Sequence, residues 1–179
     1  MKDMKTIVYL HGYNSSGSTG RRLQNMLDGK YNVLAPRLSK NADEAIKTAQ
    51  DLIDSNDVAM VIGSSLGGFV SLNVRAPFKL IINPTLEPSA TLPLIDCPQE
   101  LASSYKKYEE RFRNEIDDNV RAHTYGMFGA KDNLVHYQDE FESLFPKDHV
   151  TVIPTGEHKV SEQDLKDYVI PFIDKILNE

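Results

Sequence analysis

The sequence predicts an α/β domain built on a mostly parallel sheet of about six strands. Three observations carry this. Six short apolar runs alternate with longer amphipathic stretches: Thr6–Leu10, Asn32–Ala35, Val58–Ile62, Leu80–Ile82, Tyr125–Phe128 and Val150–Ile153. The runs are continuously apolar rather than alternating, which suits strands buried on both faces. The third run leads through Gly63-Ser64-Ser65-Leu66-Gly67 into a helical pattern, a strand–turn–helix junction. At 179 residues the chain has room for a single domain, residues 1–179.

Taken in order, the first run opens onto a polar, glycine-bearing loop, His11 to Gly17, and then a helix through Leu23, Met26 and Leu27. After the second run, Asn41 followed three residues later by Glu44 predicts a capped helix. Its buried face carries Ala42, Ala45, Ile46, Ala49, Leu52 and Ile53. Phe69, Val70 and Leu72 continue the helix after the glycine-rich turn. Residues 85–120, between the fourth and fifth runs, form a small cap or insert and supply pocket walls. Within them Leu101, Tyr105, Tyr108, Phe112 and Ile116 recur at spacings of three and four, predicting one amphipathic helix with a solvated charged face. Ser161 and Asp164 form a capping-box pattern before Leu165, Val169, Ile173 and Leu177, and Pro171 predicts a kink or short break within that helix. Right-handed crossovers place helices on both faces of the sheet.

Composition narrows the function. The formal net charge is −6, and no long Lys/Arg cluster is present, which argues against nucleic acid or an anionic membrane as partner. Cys97 is the single cysteine, so no internal disulfide is expected and a reducing compartment fits. No apolar stretch approaches the roughly 18 residues of a membrane span. The start, Met1-Lys2-Asp3-Met4-Lys5, runs into four consecutive apolar residues, Ile7 to Leu10, short of the about 7–15 of a signal-peptide core. A cytoplasmic protein is expected. No Cys/His cluster suggests zinc, and neither metal nor cofactor is expected.

Gly63-x-Ser65-x-Gly67 is the strongest chemical signal. A tight strand-to-helix turn strains the central residue and needs glycine beside it. It presents the Ser65 hydroxyl at the sheet edge, where a helix amino terminus favours developing negative charge. Ser64 does not fit the role, because its preceding partner position is Ile62. A serine nucleophile needs a base and an orienting acid, here in the chain order Ser, acid, His. Asp132, in Gly129-Ala130-Lys131-Asp132, follows the carboxyl end of the fifth run, where sites form in parallel sheets. Asp139 lies on the next helix and Asp148 precedes a strand. His158 follows the sixth run. His136 is placed at the opening of a helix, His149 at the start of the last strand, and His123 upstream of the fifth run. Two backbone N–H groups should meet the developing oxyanion, those of Leu66 and Tyr13. His11 is a structural turn residue; with Gly12, Gly63 and Gly67 it supports the loops.

Two other motifs fail. Gly12-x-x-x-x-Gly17-Ser18-Thr19 lacks the lysine of a phosphate-binding loop, and Gly63–Gly68 is not a dinucleotide fingerprint.

Tyr9-Leu10-His11-Gly12-Tyr13-Asn14-Ser15-Ser16, Gly63-Ser64-Ser65-Leu66-Gly67-Gly68 and Asn83-Pro84 resemble the small YqiA/YcfP-type esterases of the α/β-hydrolase superfamily. The resemblance spans nearly the whole chain. It implies a compact α/β-hydrolase fold lacking the first two edge strands, with order 2-1-3-4-5-6. It also implies a Ser65–Asp132–His158 triad that hydrolyses short-chain acyl esters, with a small-molecule ester as partner. Thioester or amide hydrolysis by the same triad, and a non-catalytic hydrolase-like binding protein, stand as alternatives.

Overall fold

The computed structural model describes residues 4–179. Met1, Lys2 and Asp3, part of the polar start noted above, lie outside the described residues. Six parallel strands form one sheet in the order β2-β1-β3-β4-β5-β6. They are β1 (Thr6–Leu10), β2 (Asn32–Leu34), β3 (Val58–Ser64), β4 (Phe78–Ile82), β5 (Thr124–Gly129) and β6 (Val150–Ile153). Each apolar run of the sequence is a strand. β3 continues two residues beyond its run and β4 starts two residues earlier, because backbone pairing extends past the apolar side chains.

Both faces of the sheet are buried, as continuous apolar strands require. Ile7, Tyr9, Met60, Ile62, Leu80 and Ile82 face helix α1 (Ser18–Met26) and the C-terminal helices. Val8, Leu10, Val61, Ile81 and Phe128 face α2 (Ala42–Asp54), α3 (Leu66–Leu72) and parts of the stretch between β4 and β5. Phe69 of α3 sits at the centre of that second layer, edge-on to Tyr105 at 5.9 Å and to Phe112 at 5.7 Å between ring centroids.

The caps follow the sequence. Asn41 Oδ1 accepts the Glu44 N–H at 3.2 Å and starts α2. Ser161 and Asp164 exchange hydrogen bonds in a complete capping box. Pro171 does not break the C-terminal helix. A π-helical stretch, Leu165–Val169, follows the short helix Glu162–Asp164 and leads directly into Ile170–Asn178. Proline lacks an N–H and its ring crowds the carbonyl four residues back, and a widened turn relieves both.

The single helix expected from Leu101 to Ile116 is two. The segment after β4 comprises α4 (Pro88–Thr91), a 3-10 turn Leu92–Ile95, α5 (Gln99–Ser103), α6 (Lys106–Asn114) and α7 (Asp118–Ala122). The chain breaks at Ser104, whose hydroxyl donates to Leu101 O and accepts the N–H of Ala42 at the start of α2. Tyr105 then donates to Lys40 O at 3.2 Å. Contacts across to α2 outweigh the helical periodicity here. Helix α8 (Gln138–Leu144) packs Phe141 against Phe128.

Because Phe69 is fully buried between two aromatic rings, Phe69→Ala should cost about 3–5 kcal/mol of unfolding free energy in urea titrations. An effect under about 1 kcal/mol would show that the ring cluster does not organise this layer.

Candidate active site

The loops after β1, β3, β4, β5 and β6 meet at the carboxyl end of the sheet. Ser65 stands between β3 and α3 with φ 55° and ψ −118°, a sparsely populated conformation for a residue with a side chain. It is held there by backbone bonds. Ser65 N–H donates to Ile82 O, and Ser65 O accepts the N–H groups of Gly68 and Phe69. The flanking glycines are needed for close approach. A Cβ at Gly67 would lie 2.0 Å from the Leu10 carbonyl oxygen, and one at Gly63 would lie 2.2 Å from Gly67 O. Gly12 faces the serine from the first loop, where an added Cβ would be 3.3 Å from Ser65 Cβ.

Ser65 Oγ is 3.0 Å from His158 Nε2, and His158 Nδ1 is 2.8 Å from Asp132 Oδ2. The three residues proposed from sequence thus form one unbroken hydrogen-bonded chain. Asp132 Oδ1 is separately occupied by the N–H groups of Leu134 and Val135. Burial alone would raise the Asp132 carboxyl. The His158 hydrogen bond, the two backbone donors and the charge on the imidazole outweigh it, and the group sits below the usual carboxylate range.

The rejected histidines lie elsewhere. His149 ends a 3-10 turn just before β6, bonds Thr124 O and stacks on Tyr125 at 4.1 Å. His123 follows α7 and bonds Asn119 O. His136 precedes α8 by two residues instead of opening it, because the Asp132 turn and its loop extend the connection.

His11 has a structural part. Its Nε2 accepts the Leu38 N–H at 3.0 Å, so Nδ1 carries the proton and donates to Gly12 O at 2.7 Å. The ring thereby fixes the first loop, which carries Tyr13. Leu66 is the first residue of α3, directly after Ser65. Among the described residues, neither the Tyr13 nor the Leu66 backbone N–H has a protein acceptor.

One residue's part was not assigned from sequence. Asn83, at the end of β4 with φ 43°, is 4% exposed. Its Oδ1 accepts the Gly129 N–H at 2.8 Å, and its Nδ2 donates to Glu157 O at 2.9 Å and His158 O at 3.0 Å. One amide therefore ties the loop of the acid to the loop of the histidine. The only sequence signal was an Asn-Pro pair at a strand end.

An open cleft of about 510 Å³ lies over Ser65 and His158. Its apolar lining includes Leu92, Leu94 and Ile95 from the stretch after β4, together with Leu134, Val135 and Val160.

An uncharacterised protein family, UPF0227, matches residues 6–174. The chain belongs to this family. Its fold is that of the α/β-hydrolases, and it is similar to several solved structures. The Bacillus subtilis carboxylesterase CesB is 14% identical with a TM-score of 0.64, covering 100% of this chain and 86% of that one. The type II thioesterase YbtT, of a yersiniabactin biosynthetic pathway, is 14% identical with a TM-score of 0.64 (96% and 92% covered). The Bacillus megaterium epoxide hydrolase is 11% identical with a TM-score of 0.65 (99% and 94% covered).

A carboxyl whose pKa is depressed on folding contributes stability that is present above its unfolded pKa and lost as pH falls through its folded pKa. The stability difference between wild type and Asp132→Asn should therefore shrink as urea unfolding is repeated from about pH 6 down to about pH 3. A constant difference would mean that Asp132 is not held ionised in the fold.

Proposed function

We propose that this protein is a serine hydrolase that cleaves small carboxylic esters. The observation that carries the reading is the Ser65 Oγ–His158 Nε2 and His158 Nδ1–Asp132 Oδ2 hydrogen-bonded chain on a strained strand–helix turn. The apo geometry is within the range a nucleophile and its base require.

In this mechanism Ser65 attacks the ester carbonyl while His158 Nε2 takes its proton. Asp132 holds the imidazole with Nδ1 protonated and stabilises the imidazolium that forms. The backbone N–H groups of Leu66 and Tyr13 receive the oxyanion, and the amino terminus of α3 adds its partial positive charge. His158 returns the proton to the leaving alcohol. Water, activated by the same imidazole, then releases the acyl group from Ser65. No step calls for a metal or cofactor. The reading includes a cytoplasmic setting and a small-molecule ester as partner, in keeping with an acidic chain whose single cysteine is buried and free. The openness of the cleft and its short apolar wall favour small acyl groups, with residues 85–120 acting as a small cap that supplies Leu92, Leu94 and Ile95. A second reading, thioester cleavage by the same triad, draws support from the fold shared with the thioesterase YbtT.

Three measurements test the proposal. A fluorophosphonate probe should label Ser65 in the folded protein and leave Ser65→Ala unlabelled; an unlabelled wild type would point to a binding protein instead. Ser65→Ala should reduce p-nitrophenyl ester turnover to background, and Asp132→Asn should lower it by about 10⁴. Retained turnover in Ser65→Ala would overturn the scheme. A panel of acetyl, butyryl and octanoyl esters and matching thioesters should show the highest kcat/KM for the short esters. A preference for the thioesters would replace the ester reading with the second one.

A further inference from the structure

The cleft over Ser65 has two kinds of lining. Leu94, Leu134 and Ile95 are 82%, 51% and 38% exposed, and they are three of the five large apolar side chains that stand exposed among the described residues. An acyl chain resting on them keeps one side in water, so each added methylene gains less than in an enclosed pocket. The second kind of lining is hydroxyl. Tyr9, Thr19 and Ser64 line the same cleft and are 4%, 8% and 8% exposed.

These three residues come from different elements. Tyr9 is on β1, and its ring packs under α1, where a Cβ at Gly20 would lie 3.2 Å from Tyr9 Cδ1. Thr19 is in the first turn of α1, and Ser64 ends β3 directly before Ser65. The Thr19 and Ser64 hydroxyls are the polar neighbours of the Tyr9 hydroxyl. Burial raises that phenol above its usual range and the two hydroxyls oppose the rise, so it keeps its proton near neutral pH. No other group among the described residues hydrogen-bonds any of the three. None of them is among the sealed side-chain atoms that lack a partner, so each hydroxyl opens on the cleft. A hydroxyl carries one donor and two acceptor lone pairs, and bonds among the three cannot use them all. The other hydroxyl pair of the lining is spent: Thr91 donates to Glu87 O, and its Oγ1 lies 2.7 Å from that of Thr85.

The layers of the fold assign the two linings to the two arms of an ester. Tyr9 packs in the same buried layer as Val160, and Leu92 packs in the other. His158, two residues before Val160, gives its proton to the leaving alcohol. The hydroxyl set therefore belongs to the alcohol and the Leu92–Ile95 turn to the acyl group. Lys159 is the only Asp, Glu, Lys or Arg in the lining, and it is exposed, so the lining does not select an anion.

We propose that the substrates are short-chain esters of a neutral polyol, whose vicinal hydroxyls bond Tyr9, Thr19 and Ser64. Hydrolysis then releases a short carboxylic acid and the free polyol. This names the substrate class of the Ser65 site and rests on the hydrolase reading above.

The test compares 2,3-dihydroxypropyl butyrate with 2,3-dimethoxypropyl butyrate, which keeps the ester and the ether-level oxygens and lacks the hydroxyl protons. The diol ester should have a kcat/KM at least about 10-fold higher. Tyr9→Phe and Thr19→Val should each lower that ratio by at least about 5-fold, with fluorophosphonate labelling of Ser65 showing that the variants are folded. In Ser65→Ala, saturation-transfer NMR should show stronger saturation of the glyceryl protons of the diol ester than of the dimethoxy ester; this readout stands whether or not the Tyr9 and Thr19 variants fold. Equal kcat/KM for the two esters in a protein whose Ser65 is labelled would overturn the polyol assignment and leave the hydrolase reading standing. An unchanged ratio in both folded variants would do the same. No labelling and no turnover of any ester would overturn the hydrolase reading, and this assignment with it. A preference for the diol ester phosphorylated at its terminal hydroxyl would overturn the neutral assignment.

Discussion

The strained backbone at Ser65 is the constraint on which the rest of the carboxyl end depends. A serine at φ 55° and ψ −118° is held only because its neighbours over-determine it. Gly67 lies so close to the Leu10 carbonyl that any side chain would collide with β1, and Gly63 lies as close to Gly67 and Ser71. The turn is therefore clamped between β3, which leads into it, and β1, which runs beside it. Burial of Phe69 in the aromatic layer anchors the helix that follows. Strain at one residue is offset by packing across an entire face of the sheet.

Positioning the other two side chains is a loop problem, and it has a separate solution. Asp132 and His158 lie on loops after adjacent strands, and loops are ordinarily the most mobile parts of a fold. Here the two loops touch backbone to backbone: a Cβ at Gly129 would lie 2.4 Å from Gly156 O, and Lys131 N–H donates to that same oxygen. Asn83 bonds both loops from β4, the strand whose Ile82 carbonyl also receives the Ser65 N–H. The end of β4 thus contacts the Ser65 turn, the Asp132 loop and the His158 loop.

Much of this was readable from the chain. Continuous apolar runs located all six strands, since burial on both faces of a parallel sheet forces that pattern. The rule that sites gather at strand carboxyl ends chose Asp132 over Asp148 and His158 over His149. Properties that depend on which residues meet across elements were not readable. The periodicity from Leu101 to Ile116 is helical throughout, yet Ser104 leaves the helix to cap α2, sixty-two residues earlier in sequence. Asn83 is one more polar residue at a strand end until its three partners are known. Lys79 falls just outside the apolar run Leu80–Ile82, yet it is only 6% exposed. No local pattern records that burial.

The two ends of the sheet treat a buried charge in opposite ways. Asp132 is enclosed at the carboxyl end, and every part of its carboxylate is used: one oxygen by His158, the other by two backbone donors. That arrangement keeps it ionised and fixed. Lys79, 6% exposed at the amino end, has no hydrogen-bond or ion-pair partner among the described residues, and burial lowers its ammonium to about 8. Desolvating an ammonium without compensation costs several kcal/mol in a protein interior, a large fraction of the total stability of a domain this size.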